Sequence, residues 1–178
     1  MNQIVTTDTP VAAPRNGTLH TLSILVNNEP GVLMRICQVF SRRGFNIDSL
    51  VVSEGRNADF SRMTIGLSGD PKGLQQIIMQ VNKLIDVIHC AEHDATDAVV
   101  KELVLVKFLA NDDQRTQALQ IIEHFDGKTV DLTPTSMIAL ITGNSNEIDA
   151  AVTMLSKFQI IETVRTGKVV MARGAGET

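Results

Sequence analysis

Strand-like and helix-like hydrophobic patterns follow one another along this chain in the order strand, helix, strand, strand, helix, strand, and the same order then repeats. A β-α-β-β-α-β order is typical of the ferredoxin-like fold, an antiparallel four-stranded sheet with both helices on one face. The chain is therefore predicted to be α+β, with two tandem ferredoxin-like βαββαβ domains. Because the residue identities of the two halves differ, the repeat is one of pattern and not of sequence.

Polar stretches mark the expected domain boundaries. Residues 1–18 are rich in Thr, Pro and Ala and lack the apolar core of a signal peptide, so we expect a disordered tail there. The first domain is assigned to residues 19–93, a linker to 94–100, the second domain to 101–174 and a short tail to 175–178.

Hydrophobic periodicity places the elements within each domain. In the first domain, strands are expected at 19–26, 45–53, 60–67 and 87–92, and helices at 32–43 and 71–85. In the second domain, strands are expected at 102–109, 129–132 and 136–141 and helices at 112–125 and 144–158, followed by one closing strand or a strand pair at 160–164 and 168–172.

The turn between the first strand and the first helix, Asn28-Glu29-Pro30-Gly31, is a candidate binding site. Pro30 restricts its own backbone to a turn conformation, and Gly31 has no Cβ atom to block a ligand. The first N–H groups of the helix point into the turn with partial positive charge, and a small carboxylate is their natural occupant. The alternative is that the turn is only a tight connection.

The second domain lacks this feature. Its corresponding stretch is Ala110-Asn111-Asp112-Asp113, which has no glycine at the entrance of the helix. The two carboxylates would repel an anion from the N-terminus of that helix. We therefore expect only the first domain to bind a small anionic ligand.

Asn46 follows the predicted end of the first helix, so it lies at the opposite end from Asn28. A helix of this length separates its ends by roughly 18 Å, and one chain cannot close both side chains around one small ligand. A two-fold dimer with antiparallel first helices would bring Asn28 of one chain beside Asn46 of the other. Their amides suit the carboxylate and ammonium of an amino acid. Taken alone, Asn46 is more simply a residue that begins the second strand.

The composition excludes several classes of function. A net charge of −4, with six Phe and no Trp or Tyr, gives neither the positive surface nor the stacking groups that nucleic-acid binding needs. No apolar run approaches the roughly 20 residues that span a bilayer. Cys37 and Cys90 lie in apolar segments without the spacing of a disulfide or zinc motif, which favours the reducing cytoplasm.

No arrangement of residues indicates a metal centre or a catalytic site. His89, Cys90 and His93 resemble metal ligands, but on a strand the two histidines would stand roughly 13 Å apart, with Cys90 on the opposite face. The chain has no Gly-x-Ser-x-Gly motif, no His-Glu-x-x-His motif and no dinucleotide-binding fingerprint. We therefore expect a non-catalytic protein with no cofactor of its own.

Several stretches resemble the small regulatory subunit of acetolactate synthase, also called acetohydroxyacid synthase. In the first half these are residues 22–31, 40–50 and 61–65, which include the runs Arg-Gly-Phe-Asn-Ile and Ser-Arg-Met-Thr. In the second half they are residues 101–107, 130–134 and 164–167. The resemblance extends over about residues 19–174.

The resemblance implies that residues 19–93 form an ACT domain, a dimerising module that senses amino acids. It implies a non-catalytic subunit of branched-chain amino acid biosynthesis that activates a catalytic large subunit and confers feedback inhibition by valine. The large subunit would carry thiamine diphosphate, Mg and usually FAD. Valine would bind at the ACT homodimer interface, to Asn28, Gly31, Val32 and Leu33 of one chain and Asn46 and Ile47 of the other.

Met34 is a departure from the resemblance, because some relatives have a small serine at this position. The wall of the pocket, and with it the preference among valine, leucine and isoleucine, could therefore differ. The alternative function is a free-standing ACT protein that senses an amino acid and regulates another enzyme or transcription. The ACT domain alone is compatible with that function, but no helix-turn-helix is evident.

Overall fold

A computed structural model of the protein describes residues 18–94 and 96–178. The tail predicted for residues 1–18 lies outside the described residues except for Thr18, which begins the first strand. The elements in chain order are β1 (Thr18–Asn27), α1 (Val32–Arg42), β2 (Asn46–Glu54), β3 (Phe60–Gly69), α2 (Pro71–Val81), β4 (Val87–Glu92), β5 (Ala98–Leu109), α3 (Asp112–His124), β6 (Lys128–Leu132), β7 (Ser136–Gly143), α4 (Ser145–Leu155), β8 (Gln159–Arg165) and β9 (Val169–Ala172).

Both halves of the chain have the predicted βαββαβ order. The first sheet has the strand order β2-β3-β1-β4, the second has the order β6-β7-β5-β8, and every pair of neighbouring strands is antiparallel. The chain divides into two compact units that correspond largely to these sheets. The prediction of an α+β protein with two ferredoxin-like domains is confirmed.

The core of the first domain lies between its sheet and its two helices. Alternate residues of β1 and β3 point to the helices, and residues three or four positions apart on each helix point back to the sheet. The buried members of this core are Leu22, Ile24, Val26, Val32, Ile36, Phe40, Met63, Ile65, Leu67, Leu74, Ile77, Val81 and Cys90.

The second domain has an equivalent core between its sheet and helices α3 and α4. The rings of Phe108, on β5, and Phe158, after α4, stack with their centroids 5.2 Å apart. Both helices begin at a capping box, in which Asn111 pairs with Gln114 and Asn144 pairs with Glu147.

Helix α2 ends earlier than predicted, at Val81 instead of residue 85. The Asn82 side chain donates hydrogen bonds to the carbonyl oxygens of Ile78 and Cys90, each at 3.0 Å, and accepts one from the Cys90 N–H at 2.9 Å. These bonds stop the helix and tie its end to β4. Ile85, which the periodicity placed within the helix, is 92% exposed.

The boundary between the two domains also differs from the prediction. Strand β5 begins at Ala98, within the segment 94–100 that was expected to be a linker. Strand β9 pairs with the first four residues of β5. Residues Thr166–Thr178 belong to the same compact unit as the first sheet, not to the unit that contains Glu102–Arg165. Val99 and Val100 form part of this ladder, since their β-branched side chains suit a strand better than a linker.

Residues 166–178 lie against the face of the first sheet that the helices leave open. A Cβ atom on Gly167 would stand 2.9 Å from Val51 Cγ2 and 3.3 Å from the Leu50 nitrogen, so β2 is in close contact with this glycine. Arg62, on the same face of β3, donates hydrogen bonds to the Ser23 hydroxyl and to the main-chain oxygen of Thr178. The predicted tail at 175–178 is therefore attached to the first domain.

None of the helices among the described residues is both long and apolar enough to cross a membrane.

We predict that Gly167→Ala destabilises the first domain, because β2 would have to shift to accommodate the added methyl group. Overpacking of this kind typically costs about 1–3 kcal/mol in the free energy of unfolding, which denaturant titration would measure. Gly176→Ala is the matched control, since a Cβ atom there meets nothing within 4 Å. Equal stabilities of the two variants would contradict the close contact.

Candidate functional site

Helix α1 begins without a side-chain cap, because Gly31 occupies the N-cap position with φ +87°. This left-handed conformation is strained for residues that have a Cβ atom. At the starts of the other described helices, Asp70, Asn111 and Asn144 each accept a hydrogen bond from a helix N–H. Within the described ranges, the N–H groups of the second and third residues of α1 have no such acceptor.

The Asn28 side chain already makes hydrogen bonds within the chain. Its Nδ2 donates to the Ala58 carbonyl oxygen at 2.9 Å, and its Oδ1 accepts from the Ser61 hydroxyl at 3.0 Å. The Asn28 main-chain N–H donates to the Asp59 carbonyl oxygen at 2.7 Å. Asn28 therefore fastens the turn before α1 to the loop that leads into β3.

The first residues of α1 differ in what they present to the surface. The Val32 side chain is buried in the domain core, so only its backbone is at the turn. Leu33 is half-buried, and Met34 is 64% exposed. Leu33 and Met34 are therefore the apolar residues in the first turn of α1 whose side chains reach the surface.

Asn46 and Ile47 lie at the start of β2, beyond the C-terminal end of α1. The Asn46 Nδ2 donates to Asp48 Oδ1 at 2.7 Å, and Ile47 packs partly on the domain core. Eleven residues of helix, at about 1.5 Å each, separate them from Gly31. Within one chain, the structure brings Asn28, Gly31, Val32 and Leu33 together but leaves Asn46 and Ile47 apart.

Arg35 is a charged neighbour of the turn that the sequence interpretation missed. Its Nε and Nη2 atoms each lie 2.7 Å from Asp86 Oδ2, and its Nη1 lies 3.2 Å from the point where a Cβ atom of Gly31 would stand. A cation in the first turn of a helix interacts unfavourably with the helix dipole. This placement could have indicated from the sequence alone that Arg35 has a specific partner or role. Its partner, 51 residues away, could not be identified without the fold.

The corresponding end of the second domain is closed. The Asn111 side chain accepts from the Gln114 N–H, and the Gln114 side chain accepts from the Asn111 N–H. The buried Glu102 carboxylate is neutralised by Arg165 at 2.6 Å, and Arg165 also contacts Asp149 at 2.5 Å. In this domain, side chains of the same domain thus cap the start of α3 and pair with the buried carboxylate of Glu102.

Two cavities lie away from the predicted site. One, of about 490 Å³, lies beside α2 and β4, and the other, of about 450 Å³, lies beside α3 and β6. Neither is lined by a predicted site residue. The candidate residues at Gly31 instead form an open surface at one end of α1.

Comparison with known proteins assigns both halves of the chain. A family model described as an AHAS small subunit-like ACT domain matches residues 22–89, and one described as the small subunit of acetolactate synthase matches residues 101–174. The acetolactate synthase small subunit of Mycobacterium bovis is 42% identical over 155 residues, which cover 87% of this chain and 92% of that protein. The chain belongs to the acetolactate synthase small-subunit family.

Further relatives agree with this assignment. A probable acetolactate synthase small subunit of Methanothermobacter thermautotrophicus is 41% identical over 157 residues, which cover 88% of this chain and 94% of that protein. The crystal structure of the small subunit from Thermotoga maritima superposes with a TM-score of 0.80 at 35% identity, covering 89% of this chain and 99% of that chain. The match of residues 22–89 to the ACT-domain model of this family identifies the first domain as an ACT domain.

Membership of the acetolactate synthase small-subunit family defines the general role of this chain. The family is that of the small, regulatory subunit, so the chain is a non-catalytic subunit with a regulatory ACT domain. Its partner is the catalytic large subunit of acetolactate synthase.

The residues of this small subunit that resembled metal ligands have separate surroundings. Cys90 is buried in the ACT core, His93 Nδ1 lies 3.0 Å from Asp97 Oδ2, and His89 is exposed. In the part of the chain that the structure describes, no group of three or more His, Cys, Asp or Glu side chains is arranged to hold a metal ion.

We predict that the Cys90 thiol is unreactive in the folded small subunit. Burial raises its pKa from 9.0 to about 12, so the neutral thiol, which is not the nucleophile, persists in alkaline solution. Because the unfolded chain would ionise first, this group lowers the free energy of unfolding as the pH rises from about 9 towards 12. A thiol reagent applied at pH 8 to a Cys37→Ser variant should label Cys90 only after denaturant is added. Equal labelling rates with and without denaturant would refute this.

Proposed function

We propose that this small subunit activates the catalytic large subunit of acetolactate synthase and confers feedback inhibition by valine on it. The proposed effector site lies between two ACT domains, at Asn28, Gly31, Val32 and Leu33 of one chain and Asn46 and Ile47 of the other. The observation that carries this proposal is the open N-terminus of α1, which is well suited to a small carboxylate.

The proposal of a homodimer rests on the position of β2. This strand is at the edge of the first sheet and carries Asn46 and Ile47. Leu50 and Val52, on the same strand, are 36% and 45% exposed. An edge strand with exposed apolar side chains suits pairing with a second chain. A two-fold axis at that edge would bring Asn46 of one chain towards Gly31 of the other.

The cofactors of the reaction belong, in this proposal, to the large subunit, as thiamine diphosphate, Mg and FAD. We place the complex in the cytoplasm, which the two free cysteines support because a reducing compartment keeps thiols unpaired. The alternative of a free-standing ACT regulator loses support because residues 101–174 match the same small-subunit family.

We predict that adding the purified chain to its matching large subunit raises the rate of acetolactate formation from pyruvate and makes that rate sensitive to valine. The measurement is acetolactate formation with and without the small subunit, over a range of valine concentrations. The large subunit with valine alone is the control. If the small subunit changes neither the rate nor the sensitivity to valine, the proposal fails, and co-purification of a different partner would then favour the free-standing regulator.

We predict that Gly31→Asp weakens valine binding at least about 100-fold, because like charges brought together at a binding site cost several kcal/mol. The new carboxylate would compete with that of valine for the helix end. Activation of the large subunit should be retained.

Gly31→Asn is the matched control for this charge. Asn has nearly the same shape and also tolerates a positive φ, but it carries no carboxylate. Valine should therefore bind the Asn variant more tightly than the Asp variant, as measured by calorimetry on the isolated small subunit. If the Asp and Asn variants bind valine with equal affinity, charge repulsion is not the cause of the weakened binding. If both bind valine as tightly as the wild-type chain, Gly31 is not part of the site.

A further inference from the structure

We propose that Arg35 binds the carboxylate of the amino-acid effector through Nη1 and that Asp86 holds the guanidinium in position. This inference rests on the proposed function and names a positively charged side chain for its site. Asn28 and Asn46 bring no charge to the site, and the helix end brings only a partial one.

The geometry of the Arg35–Asp86 pair leaves one side of the guanidinium unused. The Nε and Nη2 atoms both contact Asp86 Oδ2, at 2.7 Å each. The Nη1 atom is turned to Gly31, 3.2 Å from the ideal position of a Cβ atom. Among residues 18–94 and 96–178, no acceptor lies within hydrogen-bond distance of the two N–H groups of Nη1.

Both members of the pair are attached to the turn through their backbones. The Arg35 N–H donates to the Gly31 carbonyl oxygen at 3.1 Å, and the Asn27 N–H donates to the Asp86 carbonyl oxygen at 2.8 Å. The Asp86 side chain is only 15% exposed, whereas that of Arg35 is 45% exposed. Asp86 is therefore a fixed anchor, and Arg35 extends from it towards solvent above Gly31.

This arrangement favours a carboxylate over a neutral group. An anion at the start of α1 would receive hydrogen bonds from free helix N–H groups and from a guanidinium that is already oriented. Such charge-assisted bonds are stronger than those to an amide oxygen. A side chain at Gly31 would crowd this guanidinium, since its Cβ atom would stand 3.2 Å from Nη1. The site should therefore bind amino acids and discriminate against their amides.

The test compares valine with valinamide, which has an amide in place of the carboxylate, by calorimetric titration of the full-length small subunit. The wild-type chain should bind valine and bind valinamide far more weakly. Arg35→Gln should weaken valine binding by about 10- to 100-fold, the usual effect of losing a hydrogen bond to a charged group. The affinity for valinamide should change little, so the discrimination between the two compounds should largely disappear.

Three further variants separate this role from a structural one. Arg115→Gln removes the same charge from the equivalent fourth position of α3, in the domain whose helix end is closed, and should leave valine binding unchanged. Arg35→Lys keeps the charge and should retain much of the discrimination. Asp86→Asn releases the guanidinium without changing the shape of its partner, and should weaken valine binding less than Arg35→Gln does. Circular dichroism would verify that each variant is folded.

The outcomes distinguish this inference from the proposed function. If the wild-type chain binds valine and Arg35→Gln binds it equally well, the role of Arg35 is refuted and the proposed function stands. If Arg35→Gln weakens valine and valinamide binding by the same factor, Arg35 acts through the fold, and the inference is also refuted. If the wild-type chain does not bind valine, the proposed effector site fails and this inference fails with it.

Discussion

The turn from β1 into α1 requires the positive φ of Gly31, and the chemistry of the first domain depends on that turn. Since the N-cap residue has no side chain, the helix cannot cover its own first N–H groups in the way that the other described helices do. The nearest amide, that of Asn28, is bonded to Ala58 and Ser61 instead. The chain thus keeps an electropositive helix end open, and the rigid attachment of Asn28 preserves the shape of the opening.

The two domains show how little their shared fold decides about ligand binding. Both have a βαββαβ order and a core between one face of the sheet and two helices. At the first helix of the second domain, the capping box of Asn111 and Gln114 satisfies the N–H groups of both residues, and Asp112 and Asp113 lie between them. The same position in the topology is therefore open in one domain and closed in the other. Four residues at the helix entrance make the difference.

Much of the fold could be predicted because it depends on local patterns. Alternating and helical periodicities gave every strand and helix of the first domain to within a few residues, since those patterns reflect which side chains meet the core. The sequence predictions were wrong or incomplete where residues far apart in the sequence determine the local structure. Asn82 ends α2 through its bonds to β4, and Arg35 is oriented by Asp86. The position of Gly31 in the turn was predictable, but the charge beside it was not.

The attachment of residues 166–178 to the first domain has a consequence for synthesis on the ribosome. Gly167 lies against β2 and Thr178 contacts Arg62, yet both follow strands β5 to β8 in the chain. The nascent ACT domain therefore emerges with one face of its sheet lacking this late segment, and it completes its contacts only after the second domain has been translated. Contacts of such long sequence separation form slowly. Of the two described domains, the one translated earlier thus depends on residues that are translated later.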